Sequence, residues 1–239
     1  MTDLVDLHLH LLPEVDDGAR SMEDALAMAR ALVALGYRKA APSPHHRAEY
    51  ASREVALQRL DEVRAALARE SLPLELFVNA ESFFLDERLL TEAPGPAGRR
   101  LAGGPFLLVE APYTTTLPTL LDVVFRLQVK GVTPVIAHPE RCLEFEKKGR
   151  LAEAVAKGAL AQLDVAALTG RYGKVAQKLA RGFLDAGLYA VAASDAHGPV
   201  GLQDWLGAAL EALETHGGRG ARERLCGRNP LALLEGRLP

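Results

Sequence analysis

His8 and His10 lie one residue apart in the apolar run Asp6-Leu-His-Leu-His10. Side chains on a strand repeat every two residues, so both imidazoles share one face. Two neutral imidazoles side by side form a bidentate clamp for a divalent transition metal. A lone His-x-His is weak evidence, because short motifs also match by chance. Further donors follow apolar runs along the whole chain: His45, Glu81, Glu110, His138, Asp195 and His197, with Asp17 in the loop after the first run. Five of the seven histidines fall in this set, which scatter by composition does not explain. Imidazole and carboxylate without thiolate suit manganese, iron, zinc or magnesium, and argue against a structural Cys-type zinc site. Nine donors exceed the needs of one ion, and a carboxylate such as Glu81 can bridge two. Ions roughly 3.5–4 Å apart can activate a water and clamp a phosphoryl group, so the donor set predicts a multinuclear metallohydrolase.

The elements that must position these donors read as alternating strands and helices. Strands are expected over 4–10, 39–44, 74–80, 106–109, 133–137, 160–163 and 189–193. Ser21 caps a helix running to Leu35 with Gly36 after it, and Ser52 opens a second helix through Leu67. Further helices are expected over 117–130, 151–157 and 174–186, then through Leu206, Leu210 and Leu213, with a last short one at Asn229-Pro230. Residues 91–104, rich in Pro, Gly and Ala, read as loop. Seven strands alternating with helices imply a parallel sheet. Donors after nearly every strand favour a closed barrel, which gathers all its strand ends at one face, over an open sheet that converges only at a switch point.

The 239 residues are expected to form a single domain over 1–239. Hydrophobic residues at 49% and charged residues at 25% describe an ordinary globular chain rather than a disordered one. A net charge of −3 argues against broad nucleic-acid or anionic-membrane binding. Two cysteines, Cys142 and Cys226, make no disulfide framework and suggest a reducing, cytoplasmic setting. The start, Met1-Thr2-Asp3-Leu4, carries no basic region leading into an apolar one, and no run approaches the roughly 20 apolar residues that span a bilayer. Neither a secretory signal nor membrane insertion is expected.

Seven pieces recur in a fixed order over nearly the whole chain: Asp6-Leu-His-Leu-His10, Val15-Asp-Asp-Gly18, Ser43-Pro-His-His46, Asn79-Ala-Glu81, Val109-Glu110, Thr133-Pro-Val-Ile-Ala-His-Pro-Glu-Arg141 and Ala193-Ser-Asp-Ala-His197. With them the sequence resembles the polymerase-and-histidinol-phosphatase (PHP) family, and within it the bacterial manganese-dependent protein-tyrosine phosphatases of capsule and exopolysaccharide operons. The resemblance implies an α/β fold, a distorted TIM-like (β/α)7 barrel, holding three manganese ions, with iron, zinc or magnesium as alternatives. It implies that His8, His10, Glu81 and Asp195 hold one ion, Glu81, Glu110 and His138 a second, and Asp17, His45 and His197 a third. Arg141 matches the family's arginine beside the site, a fork suited to two phosphate oxygens. The implied partner is a phosphotyrosine protein, a bacterial capsule tyrosine kinase. One departure stands out: family members carry an arginine shortly after Ser-Asp-x-His, where this chain has Gly198-Pro-Val-Gly-Leu202, leaving Arg20 or Arg47 as substitutes.

The expected chemistry is direct phosphomonoester hydrolysis, with a hydroxide bridging two ions attacking phosphorus in line. A tyrosyl leaving group, with a pKa of about 10, needs less protonation than an alkyl alcohol; His46 or a metal-bound water is the candidate donor. Thiol catalysis is excluded, since it requires an Arg six residues after the Cys and Cys142 meets Lys148 while Cys226 meets Ala232. The alternative enzyme is a PHP phosphatase for a small metabolite such as histidinol phosphate or a sugar phosphate. A non-catalytic PHP module predicts lost donors, and none of the nine is lost.

Overall fold

In a computed structural model describing residues 3–239, local signals in the sequence set most element boundaries. Met1 and Thr2, part of the leader reading above, lie outside the described residues. In chain order the elements are β1 (Leu4–Asp6), α1 (Met22–Ala34), β2 (Tyr37–Ala40), α2 (Arg53–Arg69), β3 (Glu75–Leu76), β4 (Ser82–Phe83), α3 (Leu89–Glu92), β5 (Phe106–Glu110) and α4 (Leu120–Val129). There follow β6 (Thr133–Ala137), α5 (Arg150–Ala156), β7 (Leu160–Asp164), α6 (Gly173–Asp185), β8 (Val191–Ala193), α7 (Leu202–Gly217), α8 (Ala221–Glu223) and α9 (Asn229–Leu234). The Ser21 hydroxyl accepts from the Asp24 N–H at 3.1 Å, and the Ser52 hydroxyl from the Val55 N–H at 3.4 Å, so both expected caps form.

All strand pairs are parallel, in two ladders ordered β1-β2-β3 and β4-β5-β6-β7-β8. Short bridges close the ring. Asp195 N–H donates to His8 O at 2.8 Å and His10 N–H to Ala196 O at 2.9 Å, sealing β8 to the chain after β1. At the other seam Glu81 N–H donates to Pro44 O at 3.1 Å and His46 N–H to Glu81 O at 2.7 Å. The result is the distorted barrel expected from the alternation.

It differs from the sequence reading in one strand. The expected run 74–80 is broken, so β3 and β4 share one barrel position and eight short strands replace seven. Between them the backbone is captured from outside the ladder: Val78 O accepts from Ala102 N–H at 2.8 Å, while the Asn79 amide reaches Leu7 O at 2.9 Å. Residues 91–104 are also more ordered than a loop, with the end of α3 and 3-10 turns at Pro96–Gly98 and Leu101–Gly103. The helix expected from 117 begins at Leu120; Leu117 N–H, just before it, donates to the buried carboxylate of Glu144, itself paired with Arg150.

Alternation along the strands sorts two apolar groups. Val5, Phe106, Leu108, Val135, Ala137 and Val191 face inward, where Leu231, Leu233 and Leu234 of α9 pack against them and close the N-terminal end. Leu107, Val109 and Ile136 face outward under the helices, with Met28, Leu32 and Leu127 among the fully buried side chains there. The plug at one end leaves the other, where the strands terminate, for the polar residues. No described helix is long and apolar enough to cross a membrane.

Candidate metal centre

All nine expected donors stand at that C-terminal mouth. His8 and His10 follow β1, Asp17 lies in the next loop and His45 follows β2. Glu81 precedes β4, Glu110 ends β5, His138 follows β6, and Asp195 and His197 follow β8. Glu81 is the hub: its oxygens lie 2.8 Å from His45 Nδ1, 3.1 Å from His138 Nε2, 3.4 Å from His8 Nε2 and 3.9 Å from His10 Nε2. Asp195 Oδ1 lies 3.1 Å from His8 Nε2 and 3.4 Å from His10 Nε2. Toward solvent, Asp17 Oδ1 lies 3.4 Å from His45 Nε2 and 3.6 Å from His197 Nε2. Ligand atoms fall within 4.8 Å of one another in four groups: His10-Asp17-His45-His197, His8-His138-Asp195, His8-His10-Glu81 and His45-Glu81-Glu110. The outer group thus gains His10, and His138 and Glu110 fall in different groups rather than together.

The backbone pays a local strain to aim these donors. His138 and Asp195 both sit at positive φ, 30° and 49°, where a non-glycine residue costs on the order of 1–3 kcal/mol. Gly18 is required for another reason: a Cβ there would lie 2.2 Å from His10 O. The ring orientations are set from behind. His8 Nδ1 bonds Gln162 Oε1 at 2.8 Å and His10 Nδ1 bonds Asp16 Oδ2 at 2.7 Å, turning each Nε2 into the mouth. Asp16 also accepts from Gly18 N–H at 3.0 Å and from His45 N–H at 3.1 Å. Neither Gln162 nor Asp16 was among the expected site residues, although a polar side chain inside the apolar run 160–163 was a visible signal for the first.

The electrostatics are those of a cation site. Burial disfavours a charged His8, yet Asp195 and Glu81 outweigh it and push the imidazole up to about 10. His45 is likewise raised to about 9, its burial outweighed by Asp17 and Glu81. Asp17 is held down at about 2, chiefly by its hydrogen bond from His45. Burial opposes ionisation of Glu81 and Asp195, but the surrounding imidazoles hold both well below the carboxylate range. In the protein alone His8, His10 and His45 therefore carry the positive charge that the carboxylates demand. Among the described residues, His8 Nε2, His10 Nε2 and His45 Nδ1 are nevertheless buried without a hydrogen-bond partner, although each faces a carboxylate. Divalent cations between these atoms would satisfy both sets at once, so the residues present fit the implied metals.

A family model described as capsular polysaccharide synthesis, CpsB/CapC, matches residues 4–235. The chain belongs to this family. It is 33% identical over 201 residues, 81% of this chain and 77% of the relative, to tyrosine-protein phosphatase YwqE of Bacillus subtilis (strain 168). It is 28% identical over 208 residues to tyrosine-protein phosphatase CpsB of Streptococcus pneumoniae, covering 81% and 83% of the two chains. A solved structure from a study of YwqE from B. subtilis and CpsB from S. pneumoniae, described as unique metal-dependent tyrosine phosphatases, superposes with a TM-score of 0.88. The two share 29% identity, over 98% of this chain and 95% of that one. A phosphotriesterase homology protein from Escherichia coli shares the fold alone, with a TM-score of 0.60 at 13% identity over 96% and 97% of the chains. The motif resemblance and these matches point to the same capsule-associated branch.

In this CpsB/CapC family member Arg141 belongs to none of the four donor groups but stands next to them. Its Nη1 donates to Asp195 and, at 3.2 Å, to Asp164 Oδ2, while its guanidinium lies 4.1 Å from the Tyr172 ring centroid and 4.9 Å from that of Tyr113. The turn carrying it is anchored by Glu140, which accepts from Asp164 N–H and Tyr189 OH, each at 2.8 Å. Arg141, Asp195 and His197 line a cleft of about 450 Å³ together with Arg171, Tyr172 and Trp205. Arg171 was not expected from the sequence. Of the two substitute arginines, Arg47 reaches the mouth, pairing with Glu110 and lying 4.2 Å over the Phe83 ring; Arg20 is exposed, with its backbone N–H on Asp24. His46 turns away, its Nε2 3.6 Å from Glu92, in a small cavity with Phe83 and Leu89. Burial, with Arg99 adding to it, lowers His46 to about 4. It belongs to none of the four donor groups, and that shift favours its neutral form, which points to a metal-bound water as the proton donor. Cys142 and Cys226 are both buried with their thiols pushed up by burial, the environment of inert cysteines.

Proposed function

We propose that this chain is a metal-dependent protein-tyrosine phosphatase of capsule or exopolysaccharide synthesis. Its substrate is read as a phosphotyrosine protein, a capsule tyrosine kinase, met in the cytoplasm by a single domain spanning residues 1–239. The observation that carries the reading is the convergence of nine intact donors, with Arg141 beside them, on one mouth of the barrel. His8, His10, Asp17, His45, Glu81, Glu110, His138, Asp195 and His197 would hold three manganese ions, with Glu81 shared because it touches four imidazoles. Bound ions would lower the pKa of water toward neutrality and neutralise charge on the phosphoryl oxygens.

The protein's own groups do the rest. Among the described residues Arg141 bonds carboxylates only through Nη1, to Asp164 and Asp195, which leaves its other N–H donors for phosphoryl oxygens. Tyr113 and Tyr172 flank that guanidinium, and Tyr172 and Trp205 give the cleft aromatic walls suited to an aryl leaving group. Tyrosinate leaves with a pKa of about 10 and needs little help from a protein acid, consistent with His46 lying elsewhere. Gln162 and Asp16 keep His8 and His10 in the tautomer whose Nε2 faces the mouth. The deciding experiment compares turnover of a phosphotyrosine peptide, a phosphoserine peptide and histidinol phosphate by protein reconstituted with manganese. Selective turnover of the phosphotyrosine peptide is expected; fast, selective turnover of histidinol phosphate would overturn the reading in favour of a metabolite phosphatase.

A further inference from the structure

The cleft beside the donor cluster carries two arginines in opposite states. Arg141 is committed, its charge balanced by Asp164 and Asp195. Arg171 enters no ion pair among the described residues, is exposed, and lies 4.7 Å from the ring centroid of Trp205. Gly170, at φ +84°, ends the turn after β7 and starts the chain on the course that brings Arg171 to the cleft. Trp205 stands in the first turn of α7, so the stack joins two elements and holds an unbalanced cation in place. Tyr172, the next residue, stacks on Arg141, so neighbouring positions of one segment dress both sides of the cleft. Gly198 and Val200, from the segment where the family resemblance implies an arginine, line the same cleft without charge, and Val200 is 90% exposed.

We propose that Arg171, seated on Trp205, is a docking subsite for an acidic side chain flanking the phosphotyrosine of a peptide substrate. The assignment rests on the phosphatase reading above and names the substrate class for it. A phosphoryl group is drawn inward, to the buried donors and the free N–H groups of Arg141. Arg171 at the exposed end therefore meets what stands beside the phosphotyrosine in the peptide. Both arginines line one cleft, so a peptide whose phosphotyrosine enters it passes Arg171 with its neighbouring residues. An unpaired guanidinium there selects a carboxylate, while exposed Val200 and the Trp205 ring offer apolar contact to the stem of that side chain.

The test uses metal-loaded, full-length protein and two phosphotyrosine peptides alike except for glutamates or lysines beside the phosphotyrosine. Wild type should prefer the acidic peptide in kcat/KM, mainly through KM, and high salt should shrink the preference. R171A should cut the acidic-to-basic ratio about fivefold, the upper end for one exposed charge pair, and R171E should invert it. A merely structural role would lower both peptides together, and that result, or an unchanged ratio in R171E, overturns the proposal. The chain's single tryptophan supplies a second readout. Titrating the unphosphorylated acidic peptide should change Trp205 fluorescence saturably in wild type and not in R171E; equal responses in both would overturn the subsite. Should wild type hydrolyse neither peptide, the phosphatase reading fails on its own, and the fluorescence titration still decides whether the subsite exists.

Discussion

Asp16 is the sharpest place to perturb the cluster without touching a candidate ligand. Its carboxylate bonds His10 Nδ1 at 2.7 Å and accepts two backbone N–H groups, from Gly18 and His45, so one side chain orients the His10 imidazole and anchors the backbone of His45. Asp16→Ala leaves every donor present but frees the His10 ring and lets either nitrogen carry the proton. Loss of such an outer partner typically weakens metal binding 10–100-fold. Taking about 30-fold, with manganese at about 100 times the wild-type Kd, ligand-linked stabilisation falls from about 2.7 to about 0.9 kcal/mol. For a chain of this length that difference of about 2 kcal/mol removes roughly 4–8 °C from the metal-induced rise in Tm. The assay is thermal unfolding of wild type and variant, each with and without manganese, so that any metal-independent destabilisation cancels. A variant keeping the full metal-induced rise would refute the idea that Asp16 positions His10 for a metal.

Three further outcomes follow from the same geometry. Glu81→Gln removes the charge shared by four imidazoles, and metal analysis of the purified variant should show fewer ions per chain with phosphatase activity lost by at least about 100-fold, since the hub carboxylate is fully buried among the other ligands. Gly18→Ala places a methyl against His10 O and should lower both Tm and manganese affinity, whereas Gly36→Ala, which has open space at positive φ, should cost stability of only about 1 kcal/mol and leave metal affinity as in wild type. Iodoacetamide should leave native activity intact because both thiols are buried and held protonated; inactivation tracking modification of Cys142 would contradict the metal reading.

The donors were legible because each belongs to a residue type that strand ends seldom need for packing, and because strand alternation fixes which end of a parallel barrel they occupy. His8, His45, Glu110 and His138 follow that logic one by one. What escaped were features that depend on contacts between distant segments. The break between β3 and β4 arises from Ala102 and Asn79 bonding across the ladder, and no local propensity at 74–80 announces it. Arg171 and Trp205 are 34 positions apart in the chain, so their stack is invisible until the turn after β7 and the start of α7 are brought together. His46, one of two candidate proton donors in the sequence, faces Glu92 and Phe83 instead, because alternate side chains of an extended segment face opposite ways.

The same contrast explains the strained backbone at two of the donors, His138 and Asp195. A regular strand would aim His138 and Asp195 along its own alternating faces, but the cluster needs both to bend back over the barrel axis toward Glu81 and His8. Positive φ at each achieves that bend, and what surrounds them makes the conformation hold: Glu140 fixes the turn after His138 to Asp164 and Tyr189, and the Asp195 N–H is tied to His8 O across the closing seam. The seam that completes the barrel is thus also the joint that sets two ligands against each other. A substitution that loosens β8 against β1 should therefore weaken metal binding before it unfolds the chain, because the ligand geometry depends on that seam more steeply than the core does.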